Sequence, residues 1–121
     1  MSRRQLPNPA RIYAEFDAQP PLMRPEVVSE YIGRDVNWSV TLAGAREERP
    51  GQAFVSFHFE PHSVRMIGGE VSLSEYPQLK LTHVGHPIHL RGKIRKIDTL
   101  SIQLEISKLV FAEAHERAHS S

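Results

Sequence analysis

Residues 87–106, PIHLRGKIRKIDTLSIQLEI, decide the fold. In residues 87–97 and again in residues 100–107, isoleucine and leucine alternate with polar side chains, and Asp98-Thr99 separates the two runs. Strict alternation is typical of an extended chain, because successive side chains of a strand point to opposite faces. The segment therefore predicts two strands joined by a turn, each with one apolar and one solvated face.

Three earlier stretches show the same alternation: residues 35–42, 53–60 and 64–73. Between the first two, the charged segment 46–52 contains Pro50-Gly51 and predicts a hairpin loop. The third stretch is interrupted by Gly68-Gly69, which predicts a bulge or sharp bend of the kind that a small barrel needs in order to close. Five strands follow, with the longest break, a connector with one possible helical turn, between the third and the fourth.

The N-terminal part has a different character. Residues 1–25 contain five prolines, which predict an extended arm with one helical turn near residues 12–16. Ile12, Tyr13 and Phe16 would anchor this arm on the barrel. Pro25 and Gly33 mark the two ends of a short helix. The chain is thus divided into a proline-rich arm (1–25), a barrel with a leading short helix (26–111) and a polar tail (112–121).

Three phrases in the sequence resemble a known family. Residues 31–38, YIGRDVNW, resemble the Y-x-G-[KR]-x-V phrase that leads into strand 1 of stand-alone OB-fold domains of the tRNA-anticodon-binding-like group. Residues 81–94, LTHVGHPIHLRGKI, resemble the phrase that leads through strand 4 of that group, and residues 102–109 its final strand. The resemblance covers about residues 26–111 and implies an all-β, five-stranded OB-type Greek-key barrel.

The resemblance also implies where a ligand would lie. In related OB domains, oligonucleotides cross strands 2 and 3, where aromatic residues stack bases and basic residues hold phosphates. The matching positions in this chain are Phe54, Ser56 and His58 on strand 2 and Arg65 on strand 3. Phe54 is out of the apolar register, so it is either covered by the arm or part of a binding face. Trp38 and Phe57 lie in register and are expected in the core.

A row of cations provides a second candidate site. His89, Arg91, Lys93 and Arg95 alternate along the fourth strand and would form a row roughly 20 Å long on one face. Such a row could follow a phosphate backbone. The alternative is an ordinary solvated strand face, with Gln103 and Glu105 of the neighbouring strand pairing with the cations.

Other chemistry is weakly represented. The segment His115-Glu116-Arg117-Ala118-His119 matches the H-E-x-x-H pattern of zinc proteases, but it lies in the polar tail with no third ligand downstream. His83, His86 and His89 are separated by Gly85 and Pro87, so no helix presents them together, and neither a metal nor another cofactor is expected. No nucleophile, phosphate-binding loop or carboxylate pair converges, and we expect a binding module rather than an enzyme.

Composition restricts the setting further. The chain has 121 residues, no cysteine and a formal net charge of +1, so it has neither disulfides nor a strong overall field for nucleic acid. We expect a cytoplasmic protein without a membrane segment. The leading hypothesis is an OB-fold module that binds single-stranded DNA or RNA weakly or with help. The alternative is a protein-interaction domain or small assembly subunit, with a protein partner or a second copy of itself.

Overall fold

Each of the five alternating stretches forms a strand. The computed structural model describes residues 8–112, and the strands close into a barrel in the order β1-β2-β3-β5-β4. All neighbouring pairs are antiparallel except β3 and β5, which are parallel. This is the predicted all-β, OB-type barrel. The strands are β1 (Asp35–Arg49), β2 (Gln52–His58), β3 (Met66–Ser72), β4 (Pro87–Ile97) and β5 (Ser101–Phe111).

The apolar side of every strand faces the interior. Trp38 and Phe57 are buried there, as their register predicted, and together with Leu90, Ile94 and Ile102 they fill the barrel. Burying each of these large apolar side chains stabilises the folded state by about 1.5–3 kcal/mol. The interior is therefore a packed core, and any ligand of the barrel must bind to its outer surface.

The hairpin between β1 and β2 is tighter than the sequence predicted. A loop was expected over residues 46–52, but β1 continues to Arg49 and only Pro50 and Gly51 form the turn. Gly51 adopts φ +79°, a conformation that glycine tolerates without strain. The charged residues that suggested a loop instead lie on exposed strand positions.

One of the two features predicted for Gly68-Gly69, a bulge, is not formed in the ladder between β2 and β3. Pairing between β2 and β3 runs through both glycines without a shift of register, so no bulge occurs there. The glycines are needed for close approach. A Cβ on Gly68 would lie 2.6 Å from Cζ of Phe54, and one on Gly69 would lie 2.8 Å from the carbonyl oxygen of Leu104. The register shifts occur instead in the β1–β2 and β4–β5 ladders.

The N-terminal segment is more helical than the predicted arm. Helix α1 (Pro9–Ala18) has ten residues where one turn was expected. Pro9 occupies the first turn and the side chain of Asn8 caps it, so the prolines flank the helix without interrupting it. The anchors Ile12, Tyr13 and Phe16 are buried, as predicted.

A second helix links α1 to the barrel. A 3₁₀ turn (Pro21–Met23) leads into helix α2 (Arg24–Tyr31), which precedes β1, and the connector between β3 and β4 contains one 3₁₀ helix (Pro77–Leu81). None of the helices in residues 8–112 is long and apolar enough to cross a bilayer. Residues 1–7 and 113–121 lie outside the described part of the chain, so the histidine motif at residues 115–119 falls there too.

Candidate nucleic-acid interface

The predicted cationic row lies on the outer face of β4. Arg91, Lys93 and Arg95 are exposed, whereas His89 is half-buried. His89 is turned toward β1, where its ring nitrogens lie beside Asn37 Oδ1 and Ser39 Oγ. The row therefore carries three exposed permanent charges, with a histidine held by its neighbours at one end.

The neighbouring strands β1 and β5 determine which charges lie opposite the cationic row of β4. Arg91 lies directly opposite Asn37 of β1 and Lys108 of β5, so it faces a second cation and no carboxylate. Lys93, in contrast, lies between Asp35 and Glu105. Two like charges directly opposite each other destabilise a sheet. Along this row, Arg91 is thus the position directly opposite another cation, whereas Lys93 has a carboxylate on each side.

We define the cationic ridge as five residues of β4 and β5. Within residues 8–112 they have one ion pair, Arg95 with Glu105 at 3.6 Å, between two exposed side chains that water screens. No ion pair involves the other four residues in that part of the chain. The members are Arg91, Lys93, Arg95, Lys96 and Lys108.

Sequence reasoning missed Lys108, because the alternation that it followed in β5 ends at Ser107. A register shift between β4 and β5 makes Ser107 an extra residue, which returns Lys108 to the outer face and Leu109 to the core. The signal was present in the spacing. Ile106 and Leu109 are separated by two residues rather than one, as expected where a bulge resets the phase.

Phe54 lies in a groove that reaches the ridge. The groove has a volume of about 760 Å³ and crosses the outer surface where β3 and β5 diverge beyond their short parallel ladder. The tip of the Phe54 ring rests over Gly68, and the guanidinium of Arg46 lies 5.4 Å from the ring centroid. Arg95 and Lys96 line the opposite side. Phe54 thus lines an outer groove to which α1 contributes no residue in the described part of the chain.

The groove itself is nearly neutral. Its three cations, Arg46, Arg95 and Lys96, are matched by Glu48, Glu70 and Glu105. Arg46 pairs with Glu48 at 2.8 Å, and Glu70 pairs with Arg49 at 3.3 Å. The groove therefore offers an aromatic surface and hydrogen-bonding groups, while the net positive charge is on the ridge beside it.

Arg65 lies elsewhere and has another role. It forms a bidentate ion pair with Asp17 of α1 at 2.7 and 2.8 Å, and its Nε donates to the carbonyl of Thr99 at 2.9 Å. Its guanidinium also lies 4.1 Å from the centroid of the Tyr13 ring, and only 22% of its side chain is exposed. The structure thus uses Arg65 to hold α1 on the barrel and does not bring it to the ridge or the groove.

The surroundings of Asp17, Arg65 and Tyr13 shift the pKa of each of these three groups. The hydrogen bonds from Arg65 hold the pKa of the Asp17 carboxyl below its ordinary value, and the same bonds raise the pKa of Arg65. Burial raises the pKa of Tyr13 to about 12. Its hydroxyl donates to the carbonyl of Asp98 at 2.7 Å. All three groups therefore keep their usual charge states near neutrality.

His58 is also separate from the ridge. It lies in a depression that Ser39, Thr41 and Pro87 help to line, and its Nδ1 is buried with no hydrogen-bond partner in residues 8–112. No cluster of three potential metal ligands occurs in the described residues. His86 lies beside the carbonyl of Ala112 at 2.9 Å.

Comparisons with known proteins support the fold. No family model matches the chain, and no curated protein matches it by sequence. Eighteen chains of solved structures are similar in fold, and two of them illustrate the likeness. A "putative nucleic acid-binding lipoprotein" of Klebsiella pneumoniae superposes with a TM-score of 0.60 at 13% identity, over 93% of this chain and 94% of that one. An OBody, AM1L10, bound to hen egg-white lysozyme superposes with a TM-score of 0.57 at 8% identity, over 73% of this chain and 87% of that one.

Proposed function

We propose that this protein binds single-stranded nucleic acid across the cationic ridge and the groove beside it. The ridge contacts phosphates, and Phe54 offers a stacking surface for a base. The observation that carries the proposal is the Arg91–Lys108 pair, two cations opposite each other with no carboxylate paired to either in the described residues. A structurally similar protein with a nucleic-acid-binding description supports the same choice of ligand, as does the sequence resemblance to the tRNA-anticodon-binding-like group.

The repulsion between Arg91 and Lys108 lowers the stability of the sheet, and a bound anion would remove it. Like charges directly opposite in a sheet destabilise it by roughly 0.2–1 kcal/mol. A phosphate between Arg91 and Lys108 would turn this repulsion into two attractive contacts and would release condensed counterions from the nucleic acid. The ridge as a whole has five cations, and the residues opposite them supply two carboxylates, Asp35 and Glu105.

Phe54 favours a single strand over a duplex. Its ring lies in an open groove, where an unpaired base can stack on it. Bases in a duplex already stack on one another. Stacking of one base on an aromatic side chain contributes about 1–3 kcal/mol and depends little on sequence. With few side chains placed to recognise base edges, we expect binding without strong sequence preference.

Fluorescence anisotropy with labelled oligo(dT) and oligo(U) at low salt tests the charge contribution. Lys108→Glu should weaken binding about tenfold or more, because it replaces a phosphate contact with a repulsive carboxylate. The matched control is Lys80→Glu, which makes the same charge change at an exposed site outside the ridge and the groove. Equal losses for both variants would mean that only net charge matters and that the ridge is not the site.

A second pair of variants tests stacking. Phe54→Leu preserves an apolar contact over Gly68 but removes the π surface, and we expect about tenfold weaker binding. Phe59→Leu is the control, because Phe59 stacks on Tyr13 of α1 and lies outside the groove. Unchanged affinity for Phe54→Leu would exclude Phe54 from the interface while leaving the ridge to be judged by the charge variants.

A further inference from the structure

The depression that contains His58 lies at the end of the β4 row that is farther from the Phe54 groove. It has a volume of about 440 Å³ and, within residues 8–112, shares no lining residue with that groove. In the sheet, Thr41 of β1 lies directly opposite both Pro87 of β4 and His58 of β2. Three neighbouring strands thus contribute one residue each to the depression, side by side on the outer surface.

Ser39 joins this depression to the cationic row. It lines the depression, and its Oγ lies 3.4 Å from Nδ1 of His89. His89 precedes Arg91 by two residues on the same face of β4, and Arg91 lies opposite Lys108. A nucleic-acid strand that leaves the Arg91–Lys108 pair in this direction along β4 therefore reaches the depression next.

The lining of the depression suits a nucleobase better than a phosphate. Within the described residues, no lysine or arginine lines it, and the carboxylate of Glu60 would repel a phosphate. Phe59, Pro61 and Pro87 offer apolar surface, while two hydroxyls and two imidazoles supply hydrogen-bonding groups. A base has apolar faces and a polar edge, so both kinds of lining are used.

A buried nitrogen of His58 is a second observation that favours a ligand here. Its Nδ1 has no hydrogen-bond partner within residues 8–112, and a buried polar atom without a partner is unfavourable. The side chain is only half-buried, so a group bound in the depression can draw the ring outward and give this nitrogen a partner. Nearby, His62 adopts φ +66°, and uncommon backbone conformations of this kind cluster at ligand-binding positions.

We propose that the His58 depression holds one base of the same single strand that crosses the ridge and the groove. This second base site rests on the proposed function, since it requires that a strand of nucleic acid already lies on the ridge. The strand then runs from Phe54, past Arg95 and along β4 to His58. A base is held at each end, and the phosphates between them lie on the ridge.

This course sets the length of nucleic acid that the protein covers. The outward positions of β4 from Pro87 to Arg95 extend over about 26 Å, at about 3.3 Å per residue. A stacked strand advances about 3.4 Å per nucleotide, so about eight nucleotides cover the row, and an extended strand needs fewer. This length lies within the range that single OB-fold domains bind.

Fluorescence anisotropy on the full chain, with labelled oligo(dT) probes of about four to twelve nucleotides, tests the proposal. The affinity of the wild type should rise with length up to about eight nucleotides. His58→Leu removes the ring from the depression, so it should bind the longer probes about tenfold more weakly and reach its full affinity at a shorter length. Its slope of log K against log salt should equal that of the wild type, because the depression contacts no phosphate.

His83→Leu is the matched control. It makes the same exchange at an exposed residue of the connector before β4, outside the depression, the ridge and the groove. Circular dichroism verifies that both variants fold. If His58→Leu does not fold, the ring Cε1–H signals of the wild type in a proton–carbon NMR spectrum replace it. The signals of His58 and His62 should move when oligo(dT) is added, while that of His83 stays.

Two results would overturn the proposal and leave the proposed function in place. In one, Lys108→Glu weakens binding, but His58→Leu binds as tightly as His83→Leu and the His58 signal does not move. In the other, the affinity of the wild type stops rising beyond about four nucleotides. A wild-type chain that binds no probe of any length would instead overturn the proposed function and this base site together.

Discussion

Three glycines determine how closely the strands approach. Gly69 leaves room for the Ile106 side chain and the Leu104 carbonyl, Gly92 leaves room for the backbone of Glu105, and Gly68 supports Phe54 on the outer face. At each position a Cβ would lie under 3.0 Å from another atom. Bulky neighbours take the volume that these glycines leave free, so close packing here depends on the absence of a side chain.

Gly69→Ala should therefore destabilise the barrel. The new methyl group would meet the Leu104 carbonyl, which belongs to the backbone and cannot rotate away, and overpacking of this kind costs about 1–3 kcal/mol. Gly44→Ala is the control, because nothing lies within 4 Å of a Cβ there and φ is not positive. Urea denaturation would show the difference. Equal stability of the two variants would contradict the close approach.

The ion pair between Asp17 and Arg65, which we call the clasp, makes the stability of the fold depend on pH. Because the pKa of Asp17 is lowered in the folded protein, the clasp stabilises fully above the ordinary carboxyl pKa of 3.8 and weakens as the pH falls through the lowered folded value. The melting temperature of the wild type should thus fall in acid by more than that of Asp17→Asn. Parallel profiles from pH 7 to pH 2 would show that the clasp contributes nothing.

At the scale of elements, the two-residue alternation explains which outward cations of β4 and β5 could be predicted from the sequence and which could not. The outward row on β4 was placed correctly up to Arg95, because Ile88, Leu90 and Ile94 keep a period of two. It did not extend to Lys108, which a register shift between β4 and β5 returns to the outer face. Pairing partners across strands depend on these shifts, so the Arg91–Lys108 pair could not be found from either strand alone.

The N-terminal helix was missed for a related reason. Counting prolines over residues 1–25 predicted an extended arm, but proline is unfavourable only inside a helix and is tolerated in its first turn. The proline-free run from residue 10 to residue 19 was long enough for α1. Arg65 was assigned to a ligand, because its partner in the fold could not be identified while that helix was missed. The partner is Asp17, which lies on α1, 48 residues away in the chain.

Removing one charge of the Arg91–Lys108 pair should lower the affinity for nucleic acid without lowering the stability of the fold. Arg91→Gln relieves repulsion across the β4–β5 ladder, so the free energy of unfolding should stay equal or rise by up to about 1 kcal/mol. Nucleic-acid affinity should fall in the same variant. Chemical denaturation and anisotropy on one preparation measure both. A variant that loses stability and affinity together would indicate that Arg91 has a structural role instead.

At the scale of the whole molecule, closure of the barrel separates inside from outside. The interior is filled by side chains, so the proposed ligand would contact the outer faces of β2, β4 and β5. Five alternating stretches, with the longest break between the third and the fourth, predicted the OB-type barrel that the strands form. The surfaces were harder to predict, because they combine residues from strands and helices that are distant in the chain.

The salt dependence of oligo(dT) binding tests the central claim most directly. Each phosphate contact on a single strand contributes about 0.7 to the slope of log K against log salt, so three or more contacts along the ridge predict a slope of about −2 or steeper. The double variant Arg91→Gln/Lys108→Gln should reduce that slope by about 1.4. A wild-type chain that does not bind, or a double variant with an unchanged slope, would contradict phosphate binding at the ridge.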